Sequence, residues 1–167
     1  MKHVIYDLDE TSLYCPLAYK LDKCHKLKQL LPKPIFYSLY TPVYIIELMF
    51  RLFKVNRNMR VRAILFHENA DITQHVVTAR HSTLITKLHK YLVFKEMSKY
   101  ISLHCVASGK TEIDKATYVY RHILFRVNDK LLIFENDPKE ISSYNKYFFG
   151  KVAIVHTNFN GEEERCL

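Results

Sequence analysis

The reading of the chain turns on its start, His3-Val4-Ile5-Tyr6-Asp7-Leu8-Asp9-Glu10-Thr11, where a short run of β-formers ends in two carboxylates flanking one leucine. In a strand, side chains two apart share a face, so Asp7 and Asp9 project together if the strand continues past Asp7. Two like charges at the end of a buried strand are costly unless a cation or a reacting group meets them. Something positive is therefore expected there. By residue type alone, Asp7, Asp9 and Thr11 equally suit turn and cap positions that close a strand and open a helix.

Downstream, the second half of the chain alternates between the two periodicities. Strands are expected at 75–78, 101–107, 130–135 and 151–156, and helices at 81–100, 112–126 and 138–149. The polar, acidic tail from Asn158 onward is expected to fray. This order predicts an α/β fold, a Rossmann-like three-layer sandwich with a mainly parallel five-stranded sheet. Such sheets bind ligands beyond the carboxyl ends of their strands. Asp7, Asp9, Thr78 and the run Glu135-Asn136-Asp137 all fall at such ends, so one edge of the fold could gather them.

Residues 12–71 read as a helical insertion between core segments 1–11 and 72–167. Leu17, Leu21, Leu27, Leu30 and Leu31 alternate with Lys20, Lys23, Lys26 and Lys28, which predicts a basic amphipathic helix over 13–31, stopped by Pro32 and Pro34. The segment 35–53 is almost wholly apolar until Glu47 and Arg51, with Thr41-Pro42 placed like a cap and first helical residue. Its length approaches that of a membrane span. Pro42 interrupts it, however, and Glu47 and Arg51 stand at i, i+4 where they can pair, so packing against the core is expected ahead of membrane association. Residues 60–71 are expected to form a short helix or an irregular connection.

At 167 residues, the chain is long enough to bury a real core, and its 49% hydrophobic and 25% charged residues argue against disorder. Only 3 Gly are present, and neither G-x-G-x-x-G nor a Walker-type sequence occurs, so a glycine-rich loop is not available as a phosphate-binding device. Lys+Arg exceed Asp+Glu by 25 to 17, a formal charge of +8 that favours anionic partners such as nucleotides, nucleic acid or acidic lipid. Cys15, Cys24, Cys105 and Cys166 form no C-x-x-C pair, and Cys24-His25 lacks two further ligands at metal-site spacing. With no visible signal peptide or prenylation box, free thiols in a reducing, cytoplasmic compartment are expected.

Asp7-Leu8-Asp9-Glu10-Thr11 resembles the first motif of the haloacid dehalogenase (HAD) superfamily, D-x-D-x-T after an apolar strand. Val76-Val77-Thr78-Ala79-Arg80 resembles the second, an apolar strand ending in a hydroxyl residue. Lys115 stands where the family places its third-motif lysine, with Lys110 as a rival. Ile133-Phe134-Glu135-Asn136-Asp137 is similar to the fourth motif, whose acids complete a magnesium site. Many members carry paired Asp there; small members from phages and RNA-repair systems are closer to this pattern. The resemblance implies a HAD phosphatase with Asp7 as nucleophile, Asp9 as general acid and base, and Thr78 and Lys115 holding the phosphoryl oxygens. It implies Mg²⁺ held by Asp7, Asp9 through its carbonyl, and Glu135 or Asp137. It further implies phosphomonoester hydrolysis through an aspartyl-phosphate, with a nucleotide or nucleic-acid end as leading substrate and the insertion as a cap that selects it. Phosphotransfer to another acceptor shares these motifs. The rival reading is a catalytically weak or inactive HAD-like protein that binds nucleic acid, a membrane or a protein partner. In the insertion, Tyr37, Tyr40 and Tyr44 with Lys20, Lys23 and Lys26 would suit a base and a phosphate backbone, or simply a packed core and a solvated face.

Overall fold

The computed structural model describes residues 2–50, 53–106, 114–123, 129–157 and 163–166. Strand β1 (Lys2–Tyr6) leads into a short ribbon strand, β2 (Leu13–Tyr14), and four helices, α1 (Pro16–Asp22), α2 (His25–Leu30), α3 (Lys33–Ser38) and α4 (Tyr40–Met49). Strand β3 (Lys54–Val55) returns to pair antiparallel with β2 and closes this excursion. There follow α5 (Arg57–His67), β4 (Ile72–Thr78), α6 (Leu84–Phe94) with a 3₁₀ segment at Lys95–Tyr100, and β5 (Ser102–Cys105). The chain then runs through α7 (Lys115–His122), β6 (Lys130–Glu135), α8 (Pro138–Tyr147), β7 (Val152–Thr157) and β8 (Glu163–Cys166).

The sheet order is β5-β4-β1-β6-β7-β8, with the first five strands parallel and β8 antiparallel to β7. The expected α/β fold with a mainly parallel five-strand sheet is therefore present, and a sixth strand is added where fraying was expected. Alternation along β1 sorts its side chains between two cores. Val4, Tyr6 and Leu8 pack with Met59 and Ala63 of α5 and Val93 and Phe94 of α6 on one face. Ile5 packs with Ala116 and Val119 of α7 and Tyr144 and Phe148 at α8 on the other. These helices make the outer layers of a Rossmann-like three-layer sandwich.

The middle of the chain differs from the sequence expectation in its segmentation. Instead of one helix over 13–31, Leu13 and Tyr14 enter the β2–β3 ribbon and two short helices are separated at Lys23 and Cys24. The apolar stretch is likewise divided, since the break at Leu39 separates α3 from α4 and Pro42 lies inside α4's first turn, where its missing N–H costs nothing. Among the described residues, no helix is long and apolar enough to cross a membrane. Arg51 lies outside the described residues; Glu47 is buried, and its carboxylate accepts from the amides of Leu17 and Ala18 at the start of α1, where those groups have no partner within the helix. Helix α5, placed with the insertion in the sequence reading, buries Met59 and Ala63 against the sheet and serves as the crossover layer between β1 and β4. The helical excursion proper is therefore the piece between β2 and β3.

Candidate active site

From β1 the chain steps outward to β4 and β5, then crosses back to β6 and β7 on the other side. The order reverses between β1 and β6, which makes their carboxyl ends the topological switch point, the place where open parallel sheets bind ligands. Asp7 follows the last residue of β1 and Glu135 ends β6. The Asp7 amide still donates to the Phe134 carbonyl at 3.0 Å, so strand pairing carries both carboxylates to this switch point.

Lys115, first residue of α7, meets them there. Its Nζ donates to Asp7 Oδ1 at 2.7 Å and to Glu135 Oε2 at 2.8 Å, and all three side chains are buried. Asp114 caps α7 by accepting from the Thr117 amide, which fixes the helix start and with it the lysine. Burial, then the Glu135 charge beside it, pushes the Asp7 carboxyl well above its ordinary value, with Lys115 working the other way. Burial disfavours the charged lysine, yet Asp7 and Glu135 outweigh it and hold its ammonium above the ordinary lysine range. One ammonium faces two carboxylates. The cluster therefore carries an excess negative charge in a dry place, which suits a further cation or a group that exchanges protons.

The turn after Asp7 is tight. Ser12 Oγ donates to the Asp7 carbonyl at 2.5 Å, the Leu13 amide donates to Leu8 O at 2.8 Å, and Glu10 takes a left-handed conformation with φ 56°. Thr11 is buried beside Asp7, with Oγ1 3.4 Å from Asp7 Oδ2. With its amide nitrogen turned toward acceptors, Asn136 Nδ2 lies within hydrogen-bond distance of the Asp9 carbonyl at 3.2 Å, Glu135 Oε1 at 3.2 Å and Thr11 Oγ1 at 3.0 Å, and its two hydrogens serve these acceptors. The Asp9 carbonyl and the Glu135 carboxylate thus lie within one amide's reach of each other.

Asp9 itself points elsewhere. Its carboxylate is gripped by Arg80, whose Nε donates to Oδ1 at 3.1 Å and Oδ2 at 2.8 Å, with a further contact from Nη2. Arg80 also meets His89 through Nη1 and lies over the Tyr44 ring, 3.7 Å from its centroid. Tyr44 belongs to α4, so the helical excursion reaches Asp9 through one guanidinium.

Of the residues singled out in the sequence, Asp7, Lys115 and Glu135 come together. Thr78 is fully buried at the end of β4, the strand that pairs with β1, with Oγ1 accepting from the Arg80 amide at 3.3 Å, and Thr83 caps α6. Asp137 is exposed and caps α8 by accepting from the Lys139 amide at 2.9 Å, so it stands apart from the cluster and Glu135 is the acid that faces Asp7. Lys110 lies outside the described residues. Tyr37 stacks on Tyr40, whose ring lies tilted to that of Tyr44, and Tyr40 Oη donates to Asp22, so the three rings form one series within the excursion. Sequence reasoning assigned no part to Arg80 or Asn136. Both stood inside quoted motifs, Arg80 two residues past Thr78 and Asn136 between the two acids.

The donor set at the centre is all hard oxygen, two carboxylates and a backbone carbonyl, and the excess of negative charge suits a divalent ion. Magnesium commonly takes one or two carboxylates and leaves its other positions to water and substrate phosphate. Among the described residues, no group of three or more His, Cys, Asp and Glu side chains could hold a metal, so any such site draws on backbone and substrate as well.

No protein-family model matches the chain, and no curated protein matches it. Among solved structures, it is similar to the crystal structure of the Legionella pneumophila effector Ceg4, with a TM-score of 0.55 and 11% identity over 96% of this chain and 88% of that one. At this identity the likeness is one of fold.

Proposed function

We propose that the chain is a HAD-type phosphatase that hydrolyses phosphomonoesters, with Asp7 as nucleophile and Mg²⁺ as cofactor. The observation that carries this reading is the buried Asp7–Lys115–Glu135 cluster at the switch point of a parallel sheet. A structural ion pair needs one carboxylate; two around one lysine leave charge for chemistry. Mg²⁺ bound by Asp7, Glu135 and the Asp9 carbonyl would supply neutralisation of the phosphoryl charge.

The chain's own residues then divide the work. An Asp7 oxygen attacks phosphorus, forming the acyl-phosphate bond as the bond to the leaving oxygen breaks. Lys115 orients that carboxylate and donates to the phosphoryl oxygens, and Thr78 adds an uncharged donor. Asp9 gives a proton to the leaving oxygen and takes one from the water that cleaves the intermediate, releasing phosphate and restoring Asp7. For this, Asp9 must leave Arg80, and a dianionic substrate is a natural competitor for that guanidinium. The +8 charge supports an anionic substrate such as a nucleotide or nucleic-acid end.

Arg80's grip on Asp9 also favours a second reading, a HAD-like binding protein with little turnover. Phosphate release from an aryl phosphate and a nucleotide panel, with Mg²⁺ or chelator, separates the two. The phosphatase reading expects metal-dependent release that Asp7→Asn abolishes. No release on any substrate, and no rise in melting temperature with Mg²⁺, would give the binding reading the field.

A further inference from the structure

Away from the carboxylate cluster, α6 and the 3₁₀ segment after it border a concavity of about 720 Å³ whose lining includes Lys87, Lys90, Lys95, Lys99, Tyr91 and Glu96. Four ammonium groups against one carboxylate in a concave wall focus a positive field into the trench. Lys90 is fixed, its Nζ donating at 2.7 Å to the carbonyls of both Ser98 and Ile101, so one charge is built into the floor. Lys87, Lys95 and Lys99 are exposed along the walls.

Tyr91 decides the kind of anion. It lies one helical turn after Lys87 on the same face of α6 and is 53% exposed, which offers a flat aromatic surface between ammonium groups. Lysines act as point charges for phosphate oxygens, and an aromatic among them stacks a base; together these are the elements of single-strand recognition. A base supplies the flat face that stacks on the ring, which acidic peptide side chains and lipid headgroups lack.

We propose that this trench binds single-stranded nucleic acid, phosphates on Lys87, Lys95 and Lys99 and a base on Tyr91. Ser82, also on the lining, follows Arg80 by two residues, so the trench begins in the chain next to the residue that holds Asp9. The binding stands without the phosphatase reading. Where both hold, the substrate is the phosphorylated end of a strand whose body lies along α6.

The test is fluorescence anisotropy of a labelled, unphosphorylated single-stranded oligonucleotide titrated with the full chain over a range of salt. Wild type should bind at low salt with a steep salt dependence. Lys87→Ala/Lys99→Ala should lower the slope of log affinity against log salt by about 1.4, at about 0.7 per phosphate contact on single strands. Tyr91→Ala should weaken binding roughly tenfold and leave the slope unchanged. All these residues are exposed, so melting temperatures should stay at the wild-type value and serve as the folding check. No binding at low salt, or unaltered affinity and slope in the double variant, would overturn the proposal. Displacement of the oligonucleotide by polyglutamate or anionic vesicles at equal charge would overturn it in favour of an acidic peptide or lipid. Aryl phosphate hydrolysis by the same variants is a separate readout: its absence with binding intact strikes only the phosphatase reading, and lost binding in wild type with hydrolysis intact strikes only the trench.

Discussion

Arg80 holds both carboxylate oxygens of Asp9, and its guanidinium is stacked on Tyr44. One side chain thus joins the core, where Asp9 sits, to helix α4 of the excursion. Lysine has neither the planar fork nor the stacking face. Arg80→Lys should therefore lower stability by about 2 kcal/mol in urea unfolding, as expected when a charge-assisted pair is broken at a largely buried site. Tyr44→Ala should also destabilise, and because the two share a contact, the double variant should lose less than the sum, with a coupling of at least about 0.5 kcal/mol. Strict additivity would deny that this joint carries energy.

Lys115 is the single ammonium between Asp7 and Glu135. Lys115→Met leaves two buried carboxylates facing each other, and removal of one partner from a buried ionic cluster costs about 3–5 kcal/mol. Adding Glu135→Gln removes one of the stranded charges and should restore part of that loss. Mg²⁺ should raise the melting temperature of wild type and raise that of Lys115→Met further, because a cation then has more charge to neutralise. Thermal melts with and without Mg²⁺ check all three statements. A Lys115→Met protein as stable as wild type would mean the cluster is not electrostatically strained.

The fold was legible because its evidence is local. The five parallel strands carry short apolar runs, and β6 falls where the pattern put it. Asp7, Lys115 and Glu135 were legible through motif order, although no local property of Lys115 separates it from other helix lysines. The excursion was not legible as segmented. Nothing in the leucine spacing of 13–31 signals that Leu13 and Tyr14 pair with Val55 and Lys54, about forty residues away. Arg80 escaped for the same reason, since its partners Asp9 and Tyr44 lie far from it in the chain and only His89, in the next helix, is near. Asp137 was drawn toward the metal by its type, whereas its place at the start of α8 makes it a cap.

Three histidines form a line across the sheet: His3 Nδ1 lies 3.2 Å from His75 Nε2, His75 Nδ1 3.1 Å from His104 Nε2, and His104 Nδ1 3.1 Å from Tyr118 Oη. At the far end, His3 Nε2 lies 3.4 Å from Asp129. One proton on each Nε2 lets Tyr118 and every ring donate to its neighbour, with all three rings neutral. A second proton on His75 would set N–H against N–H. Burial, with His104 and His3 beside it, depresses its pKa from 6.5 to about 4. Because the unfolded chain binds that proton first, His75 contributes stability above pH 6.5 that is lost as pH falls toward 4, about 3 kcal/mol in full. The raised Asp7 acts in the opposite sense in that range, so the contribution is read as a difference. Between pH 7 and 4.5, His75→Gln should lose less stability than wild type in urea, by about 2 kcal/mol. Equal losses would show that His75 titrates normally.

Tyr144 is wholly buried between α8 and the sheet, its ring 6.1 Å from that of Phe148, and its hydroxyl has no hydrogen-bond partner among the described residues. Burial raises its pKa well above the ordinary phenol value, with Lys115 pulling it down and Glu135 adding to the rise. The hydroxyl is therefore desolvated beside the charged cluster without a bond to compensate. Tyr144→Phe keeps the ring and removes the stranded group, so it should hold stability level or raise it by up to about 1 kcal/mol. Tyr144→Ala should cost about 3–5 kcal/mol through the lost ring, which fixes the scale of the comparison. A loss of more than about 1 kcal/mol in Tyr144→Phe would mean the hydroxyl has a partner in solution. If phosphate release fell with it while Tyr144→Phe stayed folded, that partner would lie in the Asp7–Lys115–Glu135 centre, and the tyrosine would become part of its chemistry.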